Sequence, residues 1–370
     1  MRVIRLLKWI VLVLPLVLAA AFAIAWWRSD NDCPVGAASR PSIPMRALVY
    51  CDYGTPDVLT IAQVEKPVPL ATQVLVRVRA ASVNPVDWHT VRGTPYVMRL
   101  DSGLRKPAVT RTGVDFAGVV EAVGRQVTRF KVGDEVFGGR TGALAEYVAV
   151  SADRAIVHKP ANITFDHAAA VAVAGLTALQ GIRDRGQVRK GQRVLINGAS
   201  GGVGTFAVQI AKQLGAEVTG VCSTRNVGLV RALGADHVID YTADDFTTRT
   251  AAYDVLLDNV GNRPVSACRR VLVPSGRYVL VGGGGPDDHR IIGPLGRVAS
   301  MYLMAPFVPQ HLGMFIADLN RGDLEWFAKA MQAGAVSPVI DRRYSLAQAA
   351  DALRYLESGR ARGKVIVTMD

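Results

Sequence analysis

Apolar and polar positions change their period twice along this chain, and each change marks a different kind of element. From Trp9 to Trp27 the chain reads WIVLVLPLVLAAAFAIAWW, 19 residues without a charge. A helix needs about twenty predominantly apolar residues to cross a bilayer core, so residues 1–28 are expected to hold one transmembrane helix. Trp26 and Trp27 suit the headgroup belt, and Pro15 is tolerable in a membrane helix. A signal peptide is the rival reading, because Ala23-Ile24-Ala25 has the small-x-small form of a cleavage site. The length of the run and the tryptophans after that point favour a retained anchor. Residues 29–44, rich in Asp, Pro, Ser and Gly, read as a linker.

Beyond the linker the apolar segments become short, β-branched and broken by turns. Examples are Arg46–Tyr50, Val74–Val78, Val119–Val123 and Ala145–Val150, separated by Gly124, Gly133-Asp134 and Gly138-Gly139. That is the pattern of a compact, mainly antiparallel β domain. From about Asp166 helical stripes alternate with short apolar strands. Strands are expected over Gln192–Asn197, Glu217–Cys222, His237–Tyr241, Tyr253–Asp258 and Arg277–Gly282, and helices over Gly204–Leu214 and Asn226–Leu233. Repeated β-α-β units imply a parallel, doubly wound sheet, so the fold class is α/β. Near the end, Ser345 and Gln348 form a capping box, Gly359 stops a helix, and Lys364–Thr368 is a strand returning to the first domain. The expected domains are 45–165, completed by 305–370, and 166–304.

Composition narrows the class. The chain has 370 residues, half of them hydrophobic, which is ample for two packed cores. Its net charge of +12 raises the question of nucleic acid, but the 43 Lys and Arg are scattered and no aromatic-basic module occurs. Nucleic-acid binding is therefore not expected. Cys33, Cys51, Cys222 and Cys268 lie far apart with no CxxC pair, which reads as separate reduced thiols in a reducing compartment.

The strongest chemical signal follows the strand Arg193–Ile196. There the chain reads Asn197-Gly198-Ala199-Ser200-Gly201-Gly202-Val203-Gly204, and a helical stripe of Ala207, Ile210, Ala211 and Leu214 comes next. Backbone N–H groups at a helix N-terminus can hold a diphosphate only where the chain turns tightly and approaches closely, which is what the glycines allow. The pattern departs from G-x-G-x-x-G at Ala199. The second strand ends in Ser223-Thr224-Arg225-Asn226, without the acid that would bind the two ribose hydroxyls of NAD. Hydroxyls and a guanidinium suit a 2′-phosphate, so the expected cofactor is NADPH.

Together these features resemble the medium-chain dehydrogenase/reductase superfamily, in its zinc-independent quinone oxidoreductase branch. The carriers are Ala81–Trp88 (ASVNPVDW), Gly113–Val120 (GVDFAGVV), Val132–Gly138 (VGDEVFG), Ala174–Ala178 (AGLTA), the phosphate loop, Ala232–Tyr241 (ALGADHVIDY) and Ala361–Val365 (ARGKV). The resemblance implies a GroES-like domain beside a Rossmann domain, with the active site in the cleft between them. Zinc members of the superfamily have Cys where Asn84 stands and His-Glu where Val114-Asp115 stand, with a third ligand near Val173. An amide and carbon side chains cannot replace those ligands, so no metal is expected.

The same resemblance places Asn84, a candidate catalytic residue, and Thr177 near the nicotinamide-ribose side and Tyr241 near the adenosine 2′-phosphate. Ala199, Ser200, Gly201, Gly202, Val203 and Gly204 cradle the diphosphate, and Ser223, Arg225 and Asn226 meet the adenosine end. Asn259 and Gly282 end later strands beside the cofactor, and Gly363 and Lys364 resemble a C-terminal contact to it. His89, where some relatives carry a tyrosine, and Tyr96 are the proton-donor candidates, while Asp87 and Asp115 read as structural.

The implied activity is NADPH-dependent reduction of a lipophilic quinone or α,β-unsaturated carbonyl, which needs no metal because the acceptor delocalises charge. Alcohol or aldehyde oxidoreduction, and a tethered NADPH-binding protein with little catalysis, are the alternatives. A homodimer is possible. Arg2, Arg5 and Lys8 before the apolar run favour an inside N-terminus, yet Arg28, Arg40 and Arg46 nearly balance them. An NADPH consumer needs a cytoplasmic supply, so a single-pass protein with its catalytic domain on the cytoplasmic face is expected.

Overall fold

The computed structural model describes residues 2–27, 33–34, 41–283, 285, 293 and 295–369, with the side chains of residues 2–12, 14 and 25 left outside that description. It begins with helix α1 (Arg2–Trp27). The β domain follows with β1 (Pro44–Val49), β2 (Thr60–Glu65), β3 (Gln73–Val83), helices α2 (Pro85–Arg92) and α3 (Arg99–Ser102), β4 (Asp115–Val123), β5 (Glu135–Gly139), β6 (Tyr147–Ser151) and β7 (Ile156–His158). Two helices, α4 (Phe165–Ala169) and α5 (Ala172–Leu179), lead across to the second domain.

There β8 (Arg193–Asn197), α6 (Gly202–Gln213), β9 (Glu217–Cys222), α7 (Val227–Ala232), β10 (His237–Asp240) and β11 (Tyr253–Asp258) alternate. They continue through α8 (Val265–Arg270), β12 (Leu272–Leu280), α9 (Leu295–Met304), β13 (His311–Met314) and α10 (Arg321–Gln332). The chain returns to the β domain with β14 (Ile340–Ser345), α11 (Ala349–Glu357) and β15 (Lys364–Thr368).

Six parallel strands form the nucleotide-domain sheet in the order β10-β9-β8-β11-β12-β13. Helices cover both faces of such a sheet, which is why β8 and β11 are nearly continuous apolar runs rather than alternating ones. β8 lies between β9 and β11, so chain direction across the sheet switches at its carboxyl end, the place where α/β sheets bind ligands. The β domain orders its strands β14-β15-β3-β4-β5-β7, with β6 pairing β3 and β1 pairing β2 separately. β15 runs antiparallel to β3, as the returning C-terminal strand predicts. Both halves of the α/β expectation are present, a strand-rich domain and a doubly wound one.

Two expectations need correction, and a third finds no support. The segment from residue 305 does not all complete the β domain. β13 is the sixth strand of the nucleotide-domain sheet, and α10 buries Leu324, Phe327 and Met331 in a core cluster that the two domains share. Short strands of β13's kind are indistinguishable by pattern from β-domain strands. A second correction concerns the thiols. Cys33 and Cys51 form a disulfide with their Cα atoms 5.4 Å apart. Cross-links of this kind persist in oxidising surroundings, so the reading of four separate reduced thiols fails for this pair and its compartment argument falls with it. Cys222 and Cys268 are buried free thiols, pushed up to about 11 and about 12 by burial.

The third concerns the anchor. Among the described residues no helix is long and apolar enough to cross a membrane. The side chains from Trp9 to Leu12 of the expected span, Arg28 after it and much of the linker lie outside what is described.

Phe327 tests the reassignment of α10. It is fully buried, meets Phe206 edge-on at 5.5 Å and lies where a side chain on Gly175 would have to go. Phe327→Ala is expected to cost about 4 kcal/mol in urea unfolding. A loss below about 1 kcal/mol would mean that α10 is not part of this core.

Candidate active site

Three neighbouring strands of the β domain, β15, β3 and β4, bring their ends together where the two domains meet. The register sets Val365 beside Val83 and Ser82 beside Asp115. Lys364, Asn84 and Asp115 consequently stand in one row, at 3 %, 2 % and 0 % exposure. Asp115 is the hub. Its Oδ2 accepts from Ser82 Oγ at 2.7 Å, Asn84 Nδ2 at 2.9 Å and Lys364 Nζ at 3.2 Å. Its Oδ1 accepts from Val173 N at 2.8 Å, which fixes α5 against the row. Thr177, one turn on, donates to the Val173 carbonyl at 2.7 Å.

Lys364 Nζ also donates to Asn84 Oδ1 and lies 3.4 Å from the Val83 carbonyl. Both ends of the Asn84 amide are therefore engaged by the protein itself. The main chain of Asn84 donates to Asp87 Oδ2 at 2.7 Å, and Asp87 Oδ1 accepts from Gly113 N at 3.0 Å. Burial, with Asp115 nearby, pushes the Asp87 carboxyl up to about 7 despite these bonds and the Lys364 ammonium. Asp87 bonds the nearby Asn84 main chain, as a local structural role predicts, whereas the partners of Asp115 come from distant segments.

The nucleotide side of the cleft is the turn between β8 and α6. The positive φ of 77° falls on Gly198, one residue before Ala199. A Cβ on Gly204 would stand 2.1 Å from the Gly198 carbonyl oxygen, so that glycine is required for helix-to-strand packing. Ala199 departs from the glycine pattern at little cost because its methyl faces Gly220 of β9, where a Cβ would come within 2.9 Å. The missing hydrogen has been exchanged across two strands. Gly201 has only the Gly198 oxygen near its would-be Cβ, at 3.5 Å, so its face is open to a ligand. Val203 is half-buried beside it, packed against the nucleotide-domain core.

Ser200, Ser223 and Asn226 are brought together: Asn226 Nδ2 donates to Ser200 Oγ at 3.0 Å and lies 3.2 Å from Ser223 Oγ. Arg225 is drawn to the β domain, donating to the Arg360 carbonyl at 2.5 Å. Tyr241 is 55 % exposed at the end of β10. Asn259 donates to the Asn197 carbonyl at 3.0 Å, and a Cβ on Gly282 would meet the Asn259 oxygen at 2.5 Å. Gly363 donates to the Ser200 carbonyl at 2.9 Å, joining the phosphate loop to β15.

A dinucleotide fits these residues. Asn226 Oδ1 and Asn259 Oδ1 are buried acceptors without a protein donor, at the two ends of the loop's flank, and ribose or amide donors of a bound cofactor would satisfy them.

His89 and Tyr96 stand apart from the row, with no hydrogen bond to Asn84, Asp115 or Lys364 among the described residues. His89 Nδ1 is 2.7 Å from the Thr94 carbonyl, and its ring stacks on Trp88 at 3.7 Å. A carbonyl only accepts, so Nδ1 carries the proton and Nε2 is left an acceptor. Burial lowers the affinity of His89 for a second proton. Tyr96 is 40 % exposed, with the Arg99 guanidinium over its ring. Sequence reasoning missed the reach of Lys364 and the part played by Ser82. Their signal was the position of both residues at the ends of paired strands.

Comparison with known proteins decides the family. An alcohol dehydrogenase GroES-like domain model matches residues 70–161, and a zinc-binding dehydrogenase model matches residues 233–367. A 2-methylene-furan-3-one reductase of Solanum lycopersicum is 35 % identical over 88 % of this chain and 80 % of its own length. A quinone oxidoreductase of Lama guanicoe is 33 % identical over 88 % of this chain and 98 % of its own. The chain belongs to the zinc-independent, quinone oxidoreductase-like medium-chain dehydrogenases/reductases. A solved quinone oxidoreductase from Coxiella burnetii superposes with a TM-score of 0.78 at 29 % identity, covering 89 % of this chain and all of that one. A nicotinamide cofactor is common ground for the family. The zinc in one family model's description has no matching donor set here: the row offers an amide, an ammonium and one carboxylate that already accepts four bonds.

The two loop glycines give separable expectations for this family member. Gly201→Ala should fold normally and weaken binding of a nicotinamide dinucleotide at least tenfold, because its methyl would point where a bound diphosphate approaches. Gly204→Ala should lower Tm as well, since its methyl collides with main chain. Fluorescence titration beside thermal melts checks both. Unaltered binding in a normally melting Gly201→Ala would sink the loop assignment.

Proposed function

We propose that this protein reduces quinones or α,β-unsaturated carbonyls with NADPH. The observation that carries the reading is the row of Lys364, Asn84 and Asp115, an ammonium, an amide and a carboxylate bonded to one another, joined to a dinucleotide loop through Gly363. Relatives support it by name, including an NADPH-dependent alkenal/one oxidoreductase of Arabidopsis thaliana at 33 % identity over 90 % of this chain. When bound, the cofactor supplies a hydride.

The residues do the rest. Gly201, Gly202 and the α6 N-terminus hold the diphosphate, and Thr177 and Asn259 border the nicotinamide ribose. Ser223, Arg225 and Tyr241 face a 2′-phosphate; β9 itself ends without an acidic residue, and Asp240 on neighbouring β10, paired with Cys222, accepts from Thr242 N and Oγ1. A conjugated acceptor takes the hydride at its β-carbon and spreads the charge towards oxygen, so no Lewis acid is required. The α-carbon or oxygen then takes a proton.

His89 is poorly suited to give that proton. It is neutral near pH 7, and its free nitrogen accepts. We read solvent, entering past exposed Tyr96, as the source. The lowered proton affinity of His89 also has a sign for stability. Its contribution is fully present above its ordinary value of 6.5 and is lost as pH falls through the lower folded value. His89→Gln should therefore keep kcat within about threefold at pH 7, where loss of a true general acid costs about 100-fold or more.

Two finer parts belong to the same reading. A membrane tether rests on the uncharged run from Trp9 to Trp27, and release of the full chain by alkaline carbonate would count against it. Self-association rests on the open edge of β13, flanked by Phe307 and Ile316 at 86 % and 85 % exposure, and light scattering at micromolar concentration reads it.

The central test is oxidation of NADPH with a panel of quinones and enones. Turnover with at least one member is expected, with a preference for NADPH over NADH that shrinks tenfold or more in Arg225→Ala. No turnover across the panel would overturn the activity, and an unmoved preference would overturn the cofactor assignment.

A further inference from the structure

The packing of Lys364 is not explained by its expected contact to the cofactor. Its main chain faces the nucleotide domain: the preceding Gly363 N–H bonds the Ser200 carbonyl, and Gly201 and Gly363 form a parallel bridge. Its side chain turns the other way. The aliphatic stem passes Gly202, where a Cβ would lie 3.2 Å from Lys364 Cδ, and the ammonium ends on Asn84, Asp115 and the Val83 carbonyl. Three N–H groups meet three acceptors, so none remains for a phosphate or a substrate. Burying such a pair costs desolvation that two apolar residues would avoid, so net stability does not account for it.

What the pair does supply is a rigid link. The phosphate loop rests on the main chain and stem of residues 363–364, while the head group fixes the Asn84 amide from one side as Asp115 fixes it from the other. Asp115 extends the link to α5 through Val173 N.

We propose that Lys364 is a positioning residue that couples occupancy of the phosphate loop to the geometry of Asn84 and the α5 N-terminus. Resting on the reductase reading above, this inference makes Lys364 act through Asn84 rather than on NADPH. It holds the reacting end of the cleft in register with the diphosphate end.

The experiment compares the full chain with Lys364→Met, Asp115→Asn and the double variant. Each single change leaves a buried charge without its opposite and should lower Tm. The charge-neutral double variant should recover most of that loss. NADPH affinity, read by fluorescence, should stay within threefold of wild type in the double variant, while kcat remains at least tenfold down. Hydrogen exchange supplies a readout independent of turnover, taken at amides that the reading above does not set against the cofactor: NADPH should slow the amides of residues 86–87 and 114–116 in wild type, and not in the double variant.

Recovery of kcat together with Tm would reduce the pair to packing and overturn the proposal. So would a tenfold loss of NADPH affinity with kcat unchanged, which is the behaviour of a direct cofactor ligand. If wild type turns over no quinone or enone, the reductase reading fails by itself. The exchange comparison then still decides the coupling, and equal protection in both proteins would refute it.

Discussion

One carboxylate, that of Asp115, accepts hydrogen bonds from β3, from β15 and from the first turn of α5, and the relation between the two domains depends on it. The residues it binds come from positions 82, 84, 173 and 364, so no local segment could assemble the group by itself. A fully buried anion is tolerable only with this degree of satisfaction. The demand works in both directions: the carboxylate needs all its donors, and each donor is held where the carboxylate stands. Breaking one contact would therefore misplace several elements at once, which is a stronger constraint than the same number of separate hydrogen bonds.

The phosphate turn obeys a steric constraint instead. Gly204 lets α6 descend onto the turn, and the Ala199 methyl occupies the space that Gly220 leaves open. The seam from Ser200 to Gly363 then transfers the position of the turn to β15. Charge on one side of the cleft and close packing on the other are joined by two consecutive residues, Gly363 and Lys364.

Much of this could be read in advance, and the limits have physical causes. The β8 to α6 turn and the strands around it were legible because period and glycine spacing are local properties. The returning strand Lys364–Thr368 was legible for the same reason. β13 was assigned to the wrong domain because four residues carry too little periodicity to choose a sheet. Cys33 and Cys51 looked unrelated because they lie 18 residues apart and form no CxxC pair. Asn84 was placed at the site by resemblance, but its saturation by Lys364 and Asp115 depends on side-chain direction at paired strand ends, which spacing does not encode. His89 was chosen for its ordinary acid-base range, and burial with the Thr94 carbonyl reverses what its free nitrogen can do.

The Cys33–Cys51 bond sets a length as well as a connection. With it closed, the end of α1 at Trp27 is six residues from a point fixed on the β domain, a reach of at most about 20 Å for extended chain. With it reduced, the next point tied to the β domain along the described chain is Ser42, whose N–H donates to Glu65 Oε2, fifteen residues on, and the reach grows to about 50 Å. Since α1 also packs against α3, with Arg105 over the Trp26 ring, the bond adds a covalent second tie to a contact that packing alone would otherwise hold.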